Sequence, residues 1–189
     1  MADPIAKSVL LTDLQGRIQQ HCQSVDELFY RLDHDTLMWQ PKPKEWNILQ
    51  CFDHLNLTHD YYTPRITEAL SRPQPAAAGH DDYTPSFWGR IYMYFAFNPQ
   101  YSFPTAAVIT PAAVVSREVF SLYRLKQMAL LQVLEQVEAI DIRQTPVAIE
   151  KGIRFNLGDC LKILVYHDDL HINQARRVLT EWERVRTLD

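Results

Sequence analysis

The sequence predicts an all-α protein: a four-helix bundle with long crossover loops and a short extra aromatic helix, in one domain over residues 1–189. Three observations predict it. Four long segments carry apolar residues every three or four positions, the spacing of helices with one face in a core. Strict apolar–polar alternation, the mark of a half-buried strand, is almost absent. Most of the prolines and glycines gather between those segments, where they punctuate the chain. Helices that hide one face against one another form bundles.

The first segment runs from about Pro4 to Leu32, with Val9, Leu10, Leu14, Ile18, Cys22, Val25, Phe29 and Leu32 as its stripe. His21 and His34 lie off that stripe and are expected at the surface. His34 to Lys44 is a connector, because Pro41 and Pro43 cannot continue a helix. Trp39 and Trp46 flank those prolines and are expected to pin the loop onto the bundle end.

The second helix is expected from about Asn47 to Ser71, kinked at Pro64. Its main stripe is Ile48, Phe52, Leu55, Tyr62, Ile66 and Leu70. Leu57 and Tyr61 form a second apolar patch on nearly the opposite side. His54 sits between the two faces, and His59 lies on the core stripe. Arg72 to Pro85 is a loop, and His80 on it, beside Asp81 and Asp82, is expected to be a solvated tip. Phe87 to Phe97 is unusually aromatic and reads as a short helix over the bundle. It serves packing, a pocket wall or an interface; the sequence leaves the three open. Asn98 to Thr110 is another loop.

The third helix starts near Pro111 or Ser116 and ends near Ile140, with Val119, Leu122, Tyr123, Leu130, Val133, Leu134 and Val137 as its stripe. Arg143 to Phe155 connects to the last helix, which Asn156 can cap. There Leu161, Leu164, Val165, Ile172, Ala175, Leu179 and Trp182 recur at helical spacing. His167 and His171, four apart, stack one turn above the other. His171 falls inside the stripe and His167 on its flank, and Gln174 continues the His167 line. Asp168 falls near the centre of the stripe, where a carboxylate needs a partner. Either a ligand imidazole, or a cation such as Arg124 or Lys126, would serve.

Two imidazoles one turn apart supply two thirds of a first-row metal site. No Glu follows the first His, so this is not the zinc-protease helix. His54 is the candidate third ligand and His59 its competitor. The alternative is a set of interior histidines satisfied by hydrogen bonds. Three His ligands leave a coordination position open, as catalytic sites do. Cys51 and Cys160 lie near the helix lines of His54 and His167. They are expected to be reduced, buried and not ligands.

The opening Trp46-x-Ile48 with His54 eight residues after the Trp, and the late His167-Asp168-x-x-His171-x-x-Gln174 helix, together resemble the DinB/YfiT-like superfamily. The resemblance runs from about Leu10 to Arg184. It implies four helices and a divalent metal, Zn or Ni, held by His54, His167 and His171. Asp168 and Gln174 are then candidates to support those ligands. Some members of that superfamily attach low-molecular-weight thiols, such as bacillithiol or mycothiol, to electrophiles. Others are hydrolase-like, and many have no known activity. The resemblance therefore implies a metal-dependent S-transferase acting on a small electrophile. A metal-dependent hydrolase, or a metal-binding stress-associated bundle without catalysis, is the alternative.

Composition narrows the partners. A net charge of −4 and no basic run give no nucleic-acid footprint. No stretch approaches the roughly 18 apolar residues of a membrane span. Met1-Ala2-Asp3-Pro4 lacks the basic start and apolar core of a signal peptide. Three separated cysteines with no Cys-x-x-Cys point to a reducing compartment, the cytoplasm. A homodimer is expected through Leu57 and Tyr61, because one core buries only one face of each helix.

Overall fold

The structure is a computed structural model that describes residues 4–73, 81–98, 100–101, 105–150 and 152–188. It is mostly helical. The long helices are α1 (Lys7–Ser24), α3 (Ile48–Ser71), α5 (Glu118–Val137) and α6 (Leu157–Arg186); the short ones are α2 (His34–Met38) and α4 (Phe87–Ala96). Each long helix packs on two others: α1 and α3 both lie against α5 and α6. None of the helices is long and apolar enough to cross a membrane, among the described residues. His80 lies outside the described residues.

Local chemistry sets the helix ends. Asn47 accepts from the Gln50 amide N–H while Gln50 accepts from that of Asn47, a closed box at the start of α3. Asn156 and Asp159 repeat the device at α6. The first helix is shorter than the stripe suggests. It stops at Ser24, and a wider π turn over Val25–Phe29 follows. That turn carries Val25 and Phe29 into the core. Val9 and Leu122, placed on stripes by spacing, are 60% and 44% exposed, so both stripes are narrower than expected. α3 runs unbroken through Pro64, which stands on its exposed side.

Two further corrections concern the connectors. Residues 143–155 are not a plain link: β3 (Pro146–Glu150) and β4 (Ile153–Asn156) pair as an antiparallel hairpin with a bulge at Ala148/Glu150. Gly152 turns it at φ +88°, which suits glycine. A two-residue pairing also ties β1 (Ile5–Ala6) to β2 (Asp82–Tyr83). The hairpin lies on α3, where the Tyr61 hydroxyl donates to the Ile149 carbonyl. Leu57 and Tyr61 are both half-buried, so the second face of α3 is largely covered from within the chain. The tryptophans pin their loop as expected: Trp39 packs on Trp182 at 5.5 Å, and Trp182 donates to the Thr36 hydroxyl.

The core is divided. One apolar cluster holds Leu14, Ile18, Ile66, Leu134, Leu161 and Leu164. The other holds Phe29, Phe52, Phe120, Tyr123 and Ile172, with the aromatic rings stacked edge to face. Between them lies a polar layer with one residue from each long helix: His21, His59, Gln127 and Asp168, each at most 3% exposed.

Candidate metal centre

The polar layer centres on Asp168. Its carboxylate accepts from Gln127 Nε2 at 2.7 Å and faces His59 Nε2 at 3.0 Å. His21 Nδ1 stands 3.9 Å away. Its neighbour Asp169 lies at the other edge of the same His21 ring. There it meets His21 Nε2 at 2.6 Å and Arg17 at 2.5 Å. Several sequence expectations are corrected here. Asp168 pairs with neither Arg124 nor Lys126, which meet Asp26 and Asp60 instead. It makes no hydrogen bond to His54, His167 or His171 among the described residues. His21 is 3% exposed rather than at the surface, because Asp169, itself held by Arg17, gives its imidazole a partner. His59 is buried too, but its ring nitrogen is taken by Asp168 and Gln127. His34 is exposed, as its position off the stripe suggests.

One layer away, His54, His167 and His171 converge. One ligand atom from each lies within 4.8 Å of the others. His54 Nε2 and His167 Nε2 are 3.3 Å apart. Two ligands about 2.1 Å from one ion at a tetrahedral angle stand roughly 3.4 Å apart, so this pair has ligand spacing. The ring centroids of His54 and His167 lie 4.4 and 4.5 Å from that of His171.

The supporting hydrogen bonds fix which nitrogens face inward. His54 Nδ1 lies 2.6 Å from the carbonyl of Ile109, which can only accept. The proton is therefore on Nδ1, and Nε2 presents its lone pair. His171 Nδ1 lies 2.8 Å from Gln174 Oε1, which leaves its Nε2 bare by the same logic. His167 Nδ1 is buried with no partner among the described residues. Trp46 closes one wall, its ring 4.7 Å from that of His54 and 5.6 Å from that of His171.

The electrostatics agree with the tautomers. Burial pushes His54 below its usual value, against a carbonyl hydrogen bond and the charge of Asp168. Burial, then the proximity of His171 and His54, pushes His167 well down. Burial, then His54, brings His171 down to about 4. All three are neutral at pH 7, the form that binds metals.

Beside the triad runs a groove of about 360 Å³ lined by Lys42, Glu45, Trp46, Gln174, Arg177 and Glu181. Cys51 and Cys160 are free and buried, and neither belongs to the three-His group. Sequence reasoning singled out Trp46 and Gln174. It missed Ile109, whose contribution is a backbone carbonyl that no side-chain pattern encodes.

The comparisons with known proteins come down to one match. A family model described as the DinB superfamily matches residues 17–175, well over half of the chain. No curated protein and no solved structure matches.

Proposed function

The chain belongs to the DinB superfamily, and we propose that its His54, His167 and His171 bind one divalent metal ion at a catalytic centre. The observation that carries this is the convergence of three imidazoles, His54 and His171 with Nε2 left bare by their other hydrogen bonds and His167 Nε2 3.3 Å from His54 Nε2. Burial disfavours the charged, doubly protonated ring at all three positions, so the imidazoles stay neutral and the Nε2 lone pairs of His54 and His171 stay available to a metal. The donor set, three neutral imidazoles, suits Zn or Ni. A bound ion of this kind supplies Lewis acidity that ionises a water or a thiol near neutral pH.

The residues of the chain do the remainder. Ile109 and Gln174 hold two rings in the required tautomer. Trp46 keeps bulk water off one side. His167 and His171 retain partial exposure, so the centre is reachable from outside. The groove at Trp46, Gln174 and Arg177 receives the substrate, with Arg177 and Lys42 available to its anionic part. The finer reading is a thiol-dependent S-transferase acting on a small electrophile. It rests on the superfamily and on the capacity of a three-His centre to activate a thiol. Hydrolysis by the same centre is the alternative. The four long helices are read as the superfamily's four-helix bundle. Three free cysteines support a reducing compartment, the cytoplasm.

The test has two stages. Elemental analysis after loading with Zn or Ni is expected to give one ion per chain, lost on substitution of His167. No stoichiometric ion sinks the metal centre. Loaded protein is then assayed with thiol–electrophile pairs and with ester and amide substrates. Turnover of esters or amides alone replaces the transferase with a hydrolase.

A further inference from the structure

The crossover between α4 and α5 reaches the three-His centre at one backbone atom, the Ile109 carbonyl that accepts from His54 Nδ1 at 2.6 Å. Little apolar burial holds that segment in place. Of residues 105–114, Ile109 and Pro111 are half-buried and the others are exposed. Polar contacts with α3 hold it instead. The Ala112 amide N–H donates to Asp53 Oδ2 at 2.9 Å, and the Ala112 carbonyl accepts from Gln50 Nε2 at 3.1 Å. Gln50, Asp53 and His54 stand at i, i+3 and i+4, so one face of α3 grips the segment at two points.

We propose that residues 106–112 form a strap that positions His54 as a ligand, and that Asp53 is the residue that holds the strap closed. The strap is stiff between its two anchor points. A 3-10 turn over Ala107–Ile109 closes with the Ile109 N–H and the Thr110 hydroxyl both donating to the Ala106 carbonyl, each at 3.0 Å. Pro111 then fixes its own φ and keeps Thr110 extended, at φ −76° and ψ 124°. Thr110 and Pro111 alone separate Ile109 from Ala112, so a hold on the Ala112 amide is transmitted to the Ile109 carbonyl.

The two anchors at Ala112 differ in strength. Gln50 is 8% exposed, and its Oε1 accepts from the Asn47 N–H in the box that starts α3. That aims its Nε2 at the Ala112 carbonyl, but both partners are neutral. Asp53 supplies the ionised partner, and such hydrogen bonds are roughly twice as strong as neutral ones. The consequence falls on His54. A neutral imidazole carries its proton on either nitrogen, and its hydrogen-bond partner decides which. With the strap in place the proton stays on Nδ1 and Nε2 is free to bind a metal. With the strap away, a share of the rings carries the proton on Nε2 and is lost as ligand. Asp53 is thus a positioning residue that acts through Ala112 and Ile109. The strap's support of a metal ligand rests on the three-His reading; its effect on the tautomer does not.

The first experiment is proton–nitrogen correlation NMR of the metal-free chain with isotope-labelled histidine. Native His54 is expected as a single Nδ1–H tautomer. Asp53→Ala is expected to give a mixture with the Nε2–H form at unchanged helical circular dichroism. The second experiment is zinc affinity by chelator competition. Asp53→Ala is expected to lose about 10–100-fold, the range for a residue that orients a ligand. Asp53→Asn keeps an acceptor for the Ala112 N–H and should recover most of that loss. Asp60→Ala removes an exposed carboxylate from α3 outside the strap and should leave both readouts native. A single Nδ1–H tautomer or native zinc affinity in Asp53→Ala overturns the proposal. So does failure of Asp53→Asn to recover affinity, which would assign the loss to the charge of the carboxylate. If the native chain binds no zinc, a tautomer shift in Asp53→Ala still upholds the strap, and the metal centre alone falls.

Discussion

His54 Nε2 stands 3.3 Å from His167 Nε2, although 113 positions separate the two residues. That distance depends on the packing of α3 on α6 and on one carbonyl, that of Ile109, which fixes the His54 tautomer. Three alanine variants test what the convergence does. His54→Ala, His167→Ala and His171→Ala are each expected to lower metal affinity by more than the ~10–100-fold that a supporting residue costs. Helical content should stay native. Competition against a chelator of known affinity measures it, and undiminished binding in any of the three removes that residue from the ligand set.

Gln174 touches no ion in this scheme; it accepts from His171 Nδ1 at 2.8 Å. Gln174→Ala is expected to cost about 10–100-fold in metal affinity. Gln174→Glu keeps an acceptor at the same place and should restore most of it. If alanine binds as tightly as the native residue, Gln174 belongs to the groove alone.

Stability without metal should depend on pH, and the sign follows from the imidazoles. Burial lowers His171 from 6.5 to about 4, and His54 and His167 also lie below their usual value. In the window between 6.5 and about 4 the unfolded chain binds more protons than the folded one. Stability therefore rises with pH through that window and is lost as pH falls across it. In chelator, Tm should decline steadily over this range, and less steeply for His171→Gln. Parallel profiles for the two proteins would falsify the assignment of that slope to His171.

Burial also governs the thiols. It pushes Cys51 up to about 12 and Cys160 further up, whereas Cys22 is half-buried and raised less. Thiolate, not thiol, attacks alkylating reagents. Native protein at neutral pH is expected to be modified at Cys22 only, and all three cysteines in denaturant. Fast native labelling of Cys51 would show that α3 opens near His54.

The sequence carried the four long helices because apolar spacing is a local signal. It carried the late His pair because four residues is one helical turn. It did not carry the polar layer. His21 lies off its apolar stripe, and only the fold shows that Asp169 and Arg17 wait there. Asp168 was legible as a carboxylate in need of a partner. Its partners, His59 and Gln127, stand 109 and 41 positions away and follow no spacing rule. The hairpin at β3 and β4 was hidden for another reason. Its strands are short and partly exposed, so alternation hardly rises above background.

Gly89 shows how closely α4 is seated. A Cβ at that position would overlap the carboxyl group of Asp159. That carboxylate cannot move freely. It accepts from the Tyr83 hydroxyl at 2.8 Å and from the amides of Ser86 and Asn156 at 3.1 and 3.2 Å. It is also half of the box that starts α6. Gly89→Ala must therefore lift α4 or break the box. The expected cost is about 1–3 kcal/mol, the range for overpacking a filled interior. Gly16→Ala is the contrast: nothing stands within 4 Å of its added Cβ on α1. Alanine there is expected to stabilise by about 0.5–1 kcal/mol through helix propensity. Urea unfolding of the two variants measures both. Native stability in Gly89→Ala would mean that α4 is not held by Asp159.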